Sequence, residues 1–423
     1  MVDQLLQVQN PHWTGRRYSN LINRHVADHI IENLDMKEAV ILVGIRRSGK
    51  STVYKLVINK MIDAGVNPKT ILILNYDEPA FTQYANPLGI RQLIEQAEKL
   101  TGQKVKYLFL DEIQNVEQWE KFVKISYDTE VYEKIFITGS NAKILESQYI
   151  TKLSGRYLSY EIKPLSIAEI YEYKGWSSLL DLLENKPAVM SLIDDLLVYG
   201  SFPQVYKTNK KRQKEELIKV YYETILLKDC IYLGQIRDPK YFRYLTYYIL
   251  TNATTLQSYR SLAKATQSND VTVKNYVQIL EDSFMIRVVE NWSSSQRMIN
   301  KMHKKIYAAD NGLVSKIGFS LSQNRGKLLE HLVYTELSKQ GQMDIYYLKD
   351  PADVDFIVKR GTQIEAIQVT YELNDHSRDR EINNLLKIKS QYGIDRLTVI
   401  TYDQKIDHDD IRIIPVWQYF VGI

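Results

Sequence analysis

The residues Gly44-Ile-Arg-Arg-Ser-Gly-Lys-Ser51 match the pattern G-x-x-x-x-G-K-[ST] in full. Gly44 and Gly49 let the backbone curl so that its N–H groups face phosphate oxygens. Lys50 is placed to reach β- and γ-phosphates, and Ser51 to give its hydroxyl to Mg²⁺. The cradle runs over Gly44, Ile45, Arg46, Arg47, Ser48, Gly49, Lys50, Ser51 and Thr52. Downstream, Tyr107-Leu-Phe-Leu-Asp-Glu112 ends an apolar run in two acids. Asp111 suits the Mg²⁺ shell, and Glu112 suits a base that polarises an attacking water. After Lys134-Ile-Phe-Ile137 the chain reads Thr-Gly-Ser-Asn141. There Ser140 or Asn141 could touch the γ-phosphate or the water, with Asn141 favoured. Turn-forming polarity is the plainer reading of that pair.

This chemistry needs elements that bring loops from distant positions to one edge. Four apolar runs supply them: Ala39–Val43, Thr70–Leu74, Tyr107–Leu110 and Lys134–Ile137. Short apolar runs separated by helical lengths predict buried parallel strands with crossover helices. In such sheets ligands sit at the carboxyl ends of the strands, where Gly44 and Asp111 fall. A helix beginning near Lys50 would add its positive end to the phosphate site.

Composition narrows the class. The chain has 423 residues, 44% hydrophobic and 25% charged, so it is long enough for several packed domains. The balance of 55 Lys+Arg against 51 Asp+Glu leaves +4, too mild to diagnose nucleic-acid binding. Cys230 is the single cysteine, which excludes an intramolecular disulfide framework and a cysteine-rich zinc site. No apolar run approaches the roughly 20 residues of a membrane span. Met1-Val-Asp-Gln-Leu-Leu-Gln7 lacks the basic-then-apolar order of a signal peptide, so a cytoplasmic location without a membrane partner is expected.

Further motifs carry a family resemblance. With Gly44–Ser51 stand Leu110-Asp-Glu-Ile-Gln-Asn-Val-Glu-Gln-Trp119, Thr138-Gly-Ser-Asn-Ala142 and Leu153-Ser-Gly-Arg156. Tyr199-Gly-Ser-Phe-Pro203, Leu227-Lys-Asp229, Tyr307-Ala-Ala-Asp-Asn-Gly-Leu313 and Gly326-Lys-Leu-Leu-Glu-His-Leu-Val333 extend the pattern over nearly the whole chain. Together they resemble a prokaryotic family of AAA-type P-loop ATPases with a C-terminal domain of formerly unknown function. Ser201 departs from it, standing where a second glycine is common. The resemblance implies an α/β multidomain chain that hydrolyses ATP with Mg²⁺. It also makes Arg156 a candidate arginine finger or sensor, against the alternative of a structural ion pair. A finger acting in trans would require a homo-oligomer, with a hexameric ring as one form.

The expected organisation is an AAA-type core over 1–165, a helical lid over 166–236, a winged-helix-like module over 237–306 and a PD-(D/E)xK nuclease-like domain over 307–423. In the third block Val273, Val277, Leu280 and Phe284 form one apolar stripe, with Asp270 expected as N-cap. Thr272, Lys274, Asn275 and Gln278 face the other way and could contact DNA. Arg297, Lys301, His303, Lys304 and Lys305 form a basic tail able to meet phosphates. In the last block Glu330 and Asp355 are suitable metal ligands, but Gln368 and Thr370 stand where an acid and a lysine are needed. A damaged nuclease site is expected. DNA is therefore the expected partner of an ATPase that couples hydrolysis to conformational change. The rival readings are a nucleotide-dependent protein-interaction switch and an ATP-regulated nuclease.

Overall fold

The computed structural model describes residues 2–145, 155–293, 303–318, 324–341, 343–350 and 352–421. The chain divides into two compact units, Met1–Lys163 and Pro164–Ile423. Among the described residues no helix is long and apolar enough to cross a membrane.

In the first unit β1 (Ala39–Val43), β2 (Ile71–Asn75), β3 (Tyr107–Asp111), β4 (Lys134–Gly139) and β5 (Tyr157–Glu161) form one sheet in the order β2-β3-β4-β1-β5. Every pairing is parallel. β1 is buried throughout, as a central strand covered on both faces must be. Phe109 and Phe136 stack at 4.1 Å between neighbouring strands, and Tyr54 meets Phe109 edge-on at 4.9 Å. Four of the five strands follow the four apolar runs. β5 escaped that reading because it is an edge strand with only partial burial, and its Tyr-Leu-Ser-Tyr-Glu sequence shows no apolar run.

The opposite edge, β2, is closed by side chains rather than by a strand. Asn10 Oδ1 accepts from Ile73 N at 2.7 Å while its Nδ2 donates to Ile73 O at 3.0 Å. Gln9 Oε1 accepts from Asn75 N at 3.0 Å, and Trp13 Nε1 donates to Ile71 O at 2.7 Å. His12 Nε2 donates to the same Ile71 carbonyl at 3.0 Å, leaving Nδ1 to accept the Tyr18 hydroxyl. An exposed strand edge is a template for unwanted pairing, and this N-terminal strap removes it.

The second unit is helical from Ile167 to Thr251 and then carries two sheets. A small sheet of β6 (Leu256–Gln257), β7 (Ile286–Val289) and β8 (Lys304–Ala308) has the order β6-β8-β7. The helices Tyr259–Ala265 and Asp270–Asp282 lie between β6 and β7 in sequence. Val273, Val277 and Leu280 are fully buried and Phe284 nearly so, as the stripe predicts. The N-cap is Asn269, not Asp270: its side chain accepts from Thr272 N, so Asp270 falls inside the first turn. The larger sheet joins β9 (Asp344–Leu348), β10 (Val354–Arg360), β11 (Gln363–Thr370), β12 (Arg396–Thr401) and β13 (Arg412–Pro415). Its order is β13-β12-β11-β10-β9, antiparallel over β9-β10-β11 and parallel over β11-β12-β13.

A buried polar hub ties the start of this unit to its later helices. Asp310 accepts from Ser201 N and Gly312 N, and burial raises its carboxyl to about 6. A Cβ on Gly200, at φ +69°, would stand 1.6 Å from Asp310 Oδ1, so glycine is required there. Lys339 Nζ reaches Leu165 O, Ser201 Oγ and Glu336 Oε1 within 3.1 Å.

The strap makes the first unit acid-sensitive. Burial lowers His12 from 6.5 to about 4, opposed by its Ile71 contact. The folded form therefore resists a proton that the unfolded chain accepts below about 6.5. Stability present above that pH is lost as pH falls toward 4. His12→Gln should flatten the change in unfolding free energy between pH 7 and 5 by about 2 kcal/mol, read from urea titrations at both pH values. Equal slopes in the two proteins would refute it.

Candidate active site

The carboxyl edge of the first sheet gathers the predicted chemistry. β1 runs into Gly44, whose φ of +137° only glycine tolerates easily. A Cβ there would stand 2.3 Å from Ile162 O, so the loop also depends on glycine for close approach. The helix Lys50–Asp63 begins at once, with Gly49 before it in the left-handed region at φ +105°. Lys50 is 4% exposed and folds back, donating to Gly44 O at 2.9 Å and Ile45 O at 3.3 Å. Arg24, absent from the sequence reading, braces the loop from behind. Its guanidinium donates to Ser48 O at 2.9 Å and Lys163 O at 2.6 Å. A buried arginine spaced far from any motif gives no local signal.

Asp111 closes β3 and meets the P-loop directly. Its Oδ2 accepts from Ser51 Oγ at 2.9 Å, and its Oδ1 accepts from Thr138 Oγ1. The Thr138 hydroxyl in turn accepts from Glu112 N at 2.9 Å, so one side chain orients both acids. Thr138 is the residue the sequence reading overlooked. The sequence marks it only as the first polar residue after Ile-Phe-Ile; its place one register step beyond the Leu110–Ile137 pair belongs to the sheet. Glu112 itself is held in the left-handed region at φ +56°, uncommon for a residue with a Cβ. Burial raises its carboxyl above the ordinary range, against the pull of Lys50 and Arg46.

Of the two candidates after β4, Ser140 brings its hydroxyl to this group. It lies 3.4 Å from both Arg46 Nη2 and Gln114 Nε2. Asn141 is buried beside it, 2% exposed. Arg156 is not brought to this edge. Its carbonyl accepts from Ala39 N at the start of β1, and its side chain pairs with Asp128 at 3.0 Å over the Tyr127 ring. The five residues of β1 separate Arg156 from Gly44, about 16 Å at the usual rise per residue. Within its own subunit the Arg156 side chain is engaged by Asp128 and Tyr127, at the end of β1 away from Gly44.

The site's oxygen donors suit Mg²⁺, a small hard cation usually held by one or two protein oxygens together with phosphates. Ser51 and Asp111 offer a hydroxyl and a carboxylate already in contact. Among the described residues no group of three or more His, Cys, Asp or Glu side chains could hold a metal ion elsewhere.

The second acid pair has a different environment. Glu330, on the helix Arg325–Ser338, and Asp355, where β10 shifts register against β9, both bind Lys305 Nζ, at 2.8 and 2.9 Å. The Tyr307 hydroxyl donates to the same Glu330 oxygen at 2.7 Å. Gln368 Oε1 accepts from Asp355 N at 3.2 Å, while Thr370 Oγ1 turns to Glu372 O. Burial pulls Lys305 down, but the two facing carboxylates outweigh it and hold the ammonium charged. The expectation that Lys304 and Lys305 meet phosphates is overturned. Both lie in β8 at 7% exposure, and Lys304 pairs with Glu290 at 2.9 Å. They point to opposite faces of β8, the central strand of its sheet, and both faces are covered, which a reading of the stretch as a solvated tail could not register. Arg297 and Lys301 lie outside the described residues. Lys305→Met should destabilise the protein by about 3–5 kcal/mol in urea unfolding, because it strands two buried carboxylates. A cost below about 1 kcal/mol would show that the triad is not coupled in this way.

Comparison with known proteins agrees with this geometry. Residues 36–171 match the family model of an AAA domain. Residues 190–324 and 325–419 match two domains of unknown function (DUF8612 and DUF4143). The chain is 28% identical over 422 residues to an uncharacterized protein of Methanocaldococcus jannaschii, covering 95% of this chain and 91% of that one. It is 27% identical over 398 residues to one of Haemophilus influenzae, covering 92% and 96%. Among solved structures, AMPPCP-bound DnaA from Aquifex aeolicus aligns at a TM-score of 0.28 with 14% identity, over 64% of this chain and 92% of that one. Cdc6p from Pyrobaculum aerophilum aligns at 0.28 with 10% identity, over 73% and 96%. Superpositions that loose carry no argument. The segment that folds around Lys50 and Asp111 is an AAA domain, an ATP-hydrolysing P-loop ATPase domain, and two domains of unknown function follow it in the chain.

Proposed function

We propose that the first unit hydrolyses Mg²⁺-bound ATP and that the second unit carries the resulting conformational change to DNA. The observation that carries the hydrolytic part is the chain Ser51–Asp111–Thr138–Glu112, which brings the P-loop and both acids into one hydrogen-bonded group. The backbone from Gly44 to Thr52 cradles the phosphates, and Lys50 leaves its carbonyl contacts to stabilise β,γ-charge. Ser51 and Asp111 hold the Mg²⁺, which neutralises charge on the phosphate oxygens. Glu112 polarises the attacking water, with Ser140 or Asn141 orienting it.

The DNA part is supported by the arrangement over 237–306. A helix with a buried apolar stripe leads into an antiparallel pair, as in a winged helix, and leaves Lys274, Asn275 and Gln278 exposed. Such a polar face suits a groove or phosphates. The helices over 166–236 then serve as the lid. The topology of β9 to β12 with its preceding helix supports a nuclease-like domain over 307–423. Lys305 occupies the space between its two acids, which favours a domain that does not cut. The burial of Lys304 and Lys305 lends weight to the rival reading, a protein-interaction switch.

If Arg156 assists hydrolysis it does so across a homo-oligomer, as in a ring. Turnover per subunit should then fall on dilution, in step with the mass of the assembly. A monomer at full turnover would remove Arg156 from the reaction.

Two substitutions separate binding from chemistry. Lys50→Ala should abolish turnover and weaken ATP binding. Glu112→Gln should keep binding and lose about 100-fold or more in kcat. Normal turnover in Glu112→Gln would remove it as the base. Phosphate release measured with single-stranded, duplex and branched DNA distinguishes the two partners. Stimulation supports action on DNA, and indifference to all three favours the switch.

A further inference from the structure

One side chain of the P-loop leaves the loop. Arg46 Nη1 lies 3.7 Å from Asp77 Oδ2, and Nη2 lies 3.8 Å from Glu112 Oε2 and 3.4 Å from Ser140 Oγ. Its partners follow three different strands: Asp77 comes after β2, Glu112 after β3 and Ser140 after β4. The side chain is 12% exposed, so these groups form its surroundings in place of water. A guanidinium is planar and presents donors along several edges, which lets it face two carboxylates and a hydroxyl at once. A lysine ammonium, a point charge on a flexible stem, cannot hold that orientation.

Glu112 is therefore fixed at both ends. Its backbone is pinned by Thr138 at φ +56°. Its Oε2 faces Arg46 and accepts from Gln114 Nε2 at 2.5 Å, and Gln114 also reaches Ser140. A carboxylate that must point at one water gains rate from such fixing, because small misplacements of a reacting group cost large factors. The phosphate-binding loop thus supplies a group that bears on the hydrolytic acid.

We propose that Arg46 is a positioning residue for hydrolysis: its guanidinium, braced by Asp77, aims the Glu112 carboxylate toward the water beside the γ-phosphate. This rests on Glu112 being the base. Asp77 is the outer brace, with a side chain 43% exposed, and its removal loosens Arg46 without displacing it.

The test measures mant-ATP affinity and steady-state phosphate release in the full chain for Arg46→Gln, Arg46→Lys, Asp77→Asn, the Arg46→Gln/Asp77→Asn double variant and Glu112→Gln. Arg46→Gln should lower kcat about tenfold or more while mant-ATP affinity stays within about threefold, which also shows that the site is folded. Arg46→Lys should recover only part of the loss. Asp77→Asn should cost less than Arg46→Gln and add nothing to it in the double variant, as expected of residues acting through one contact. Full turnover in Arg46→Gln, or additive losses with Asp77→Asn, would overturn the proposal. So would parallel losses of affinity and kcat, which would make Arg46 a phosphate-binding group. These outcomes are read with Glu112→Gln inactive. Normal turnover in Glu112→Gln would instead overturn the base assignment, and the positioning role with it.

Discussion

The carboxylate of Asp111 stands between two hydroxyls, Ser51 on the P-loop side and Thr138 on the next strand. Much of the first unit serves this contact. The Ser51 bond sets where the helix Lys50–Asp63 begins relative to β3, and the Thr138 bond holds the end of β3 against β4. Parallel strands bring their carboxyl ends to one edge only if their register is kept. The flat stack of Phe109 on Phe136 lies two residues behind the acid and resists slippage of these strands. Glu112 then leaves the sheet in a left-handed conformation that little besides this clamp would enforce. Backbone strain at such a point is retained when its surroundings over-determine it.

How much of this was legible in the sequence depends on locality. The P-loop, its strand and its helix occupy consecutive positions, and each demand of phosphate binding is met by a residue type fixed in spacing. Asp111 and Glu112 were legible because an apolar strand ends on them. Thr138 was not, since its role depends on cross-strand register and single residues do not announce register. Arg156 is the reverse case. Its motif suggested chemistry, but the parallel direction of β5 puts it at the amino edge, where Asp128 and Tyr127 engage it. Lys304 and Lys305 looked like part of a solvated basic run and proved to be residues of a strand buried on both faces. Among the strands, β5 was hidden by half-burial, whereas β1 to β4 declared themselves through continuous apolar runs.

The second unit depends on buried polar groups as well. His331 accepts from Ala308 N through Nε2 and donates through Nδ1 to Asn311, so it must stay neutral, and burial lowers it to about 3. Asp310, Lys339 and Glu336 are satisfied by backbone groups and by one another. Such networks contribute little net free energy compared with a packed apolar core, but a partner missing from any of them is costly. They favour one arrangement over its near neighbours. The Lys305 triad belongs to the same economy of charge, joining β8 to an acid pair on another sheet and a helix.

The strap over β2 has a consequence for how the chain is made. Asn10 waits for Ile73, a separation of 63 residues, and a ribosome adding about 5–20 residues per second needs roughly 3–13 s to supply it. β2 itself then lacks β3 until Asp111 has been added, and β1 lacks both its neighbours until β4 and β5 emerge. Gln9 to Trp13 are made long before any surface exists to receive them. Throughout that interval Trp13 and Asn10 lack the β2 carbonyls that they meet in the finished sheet. The residues that seal the edge of the finished sheet thus wait, unpaired, on the strand they seal.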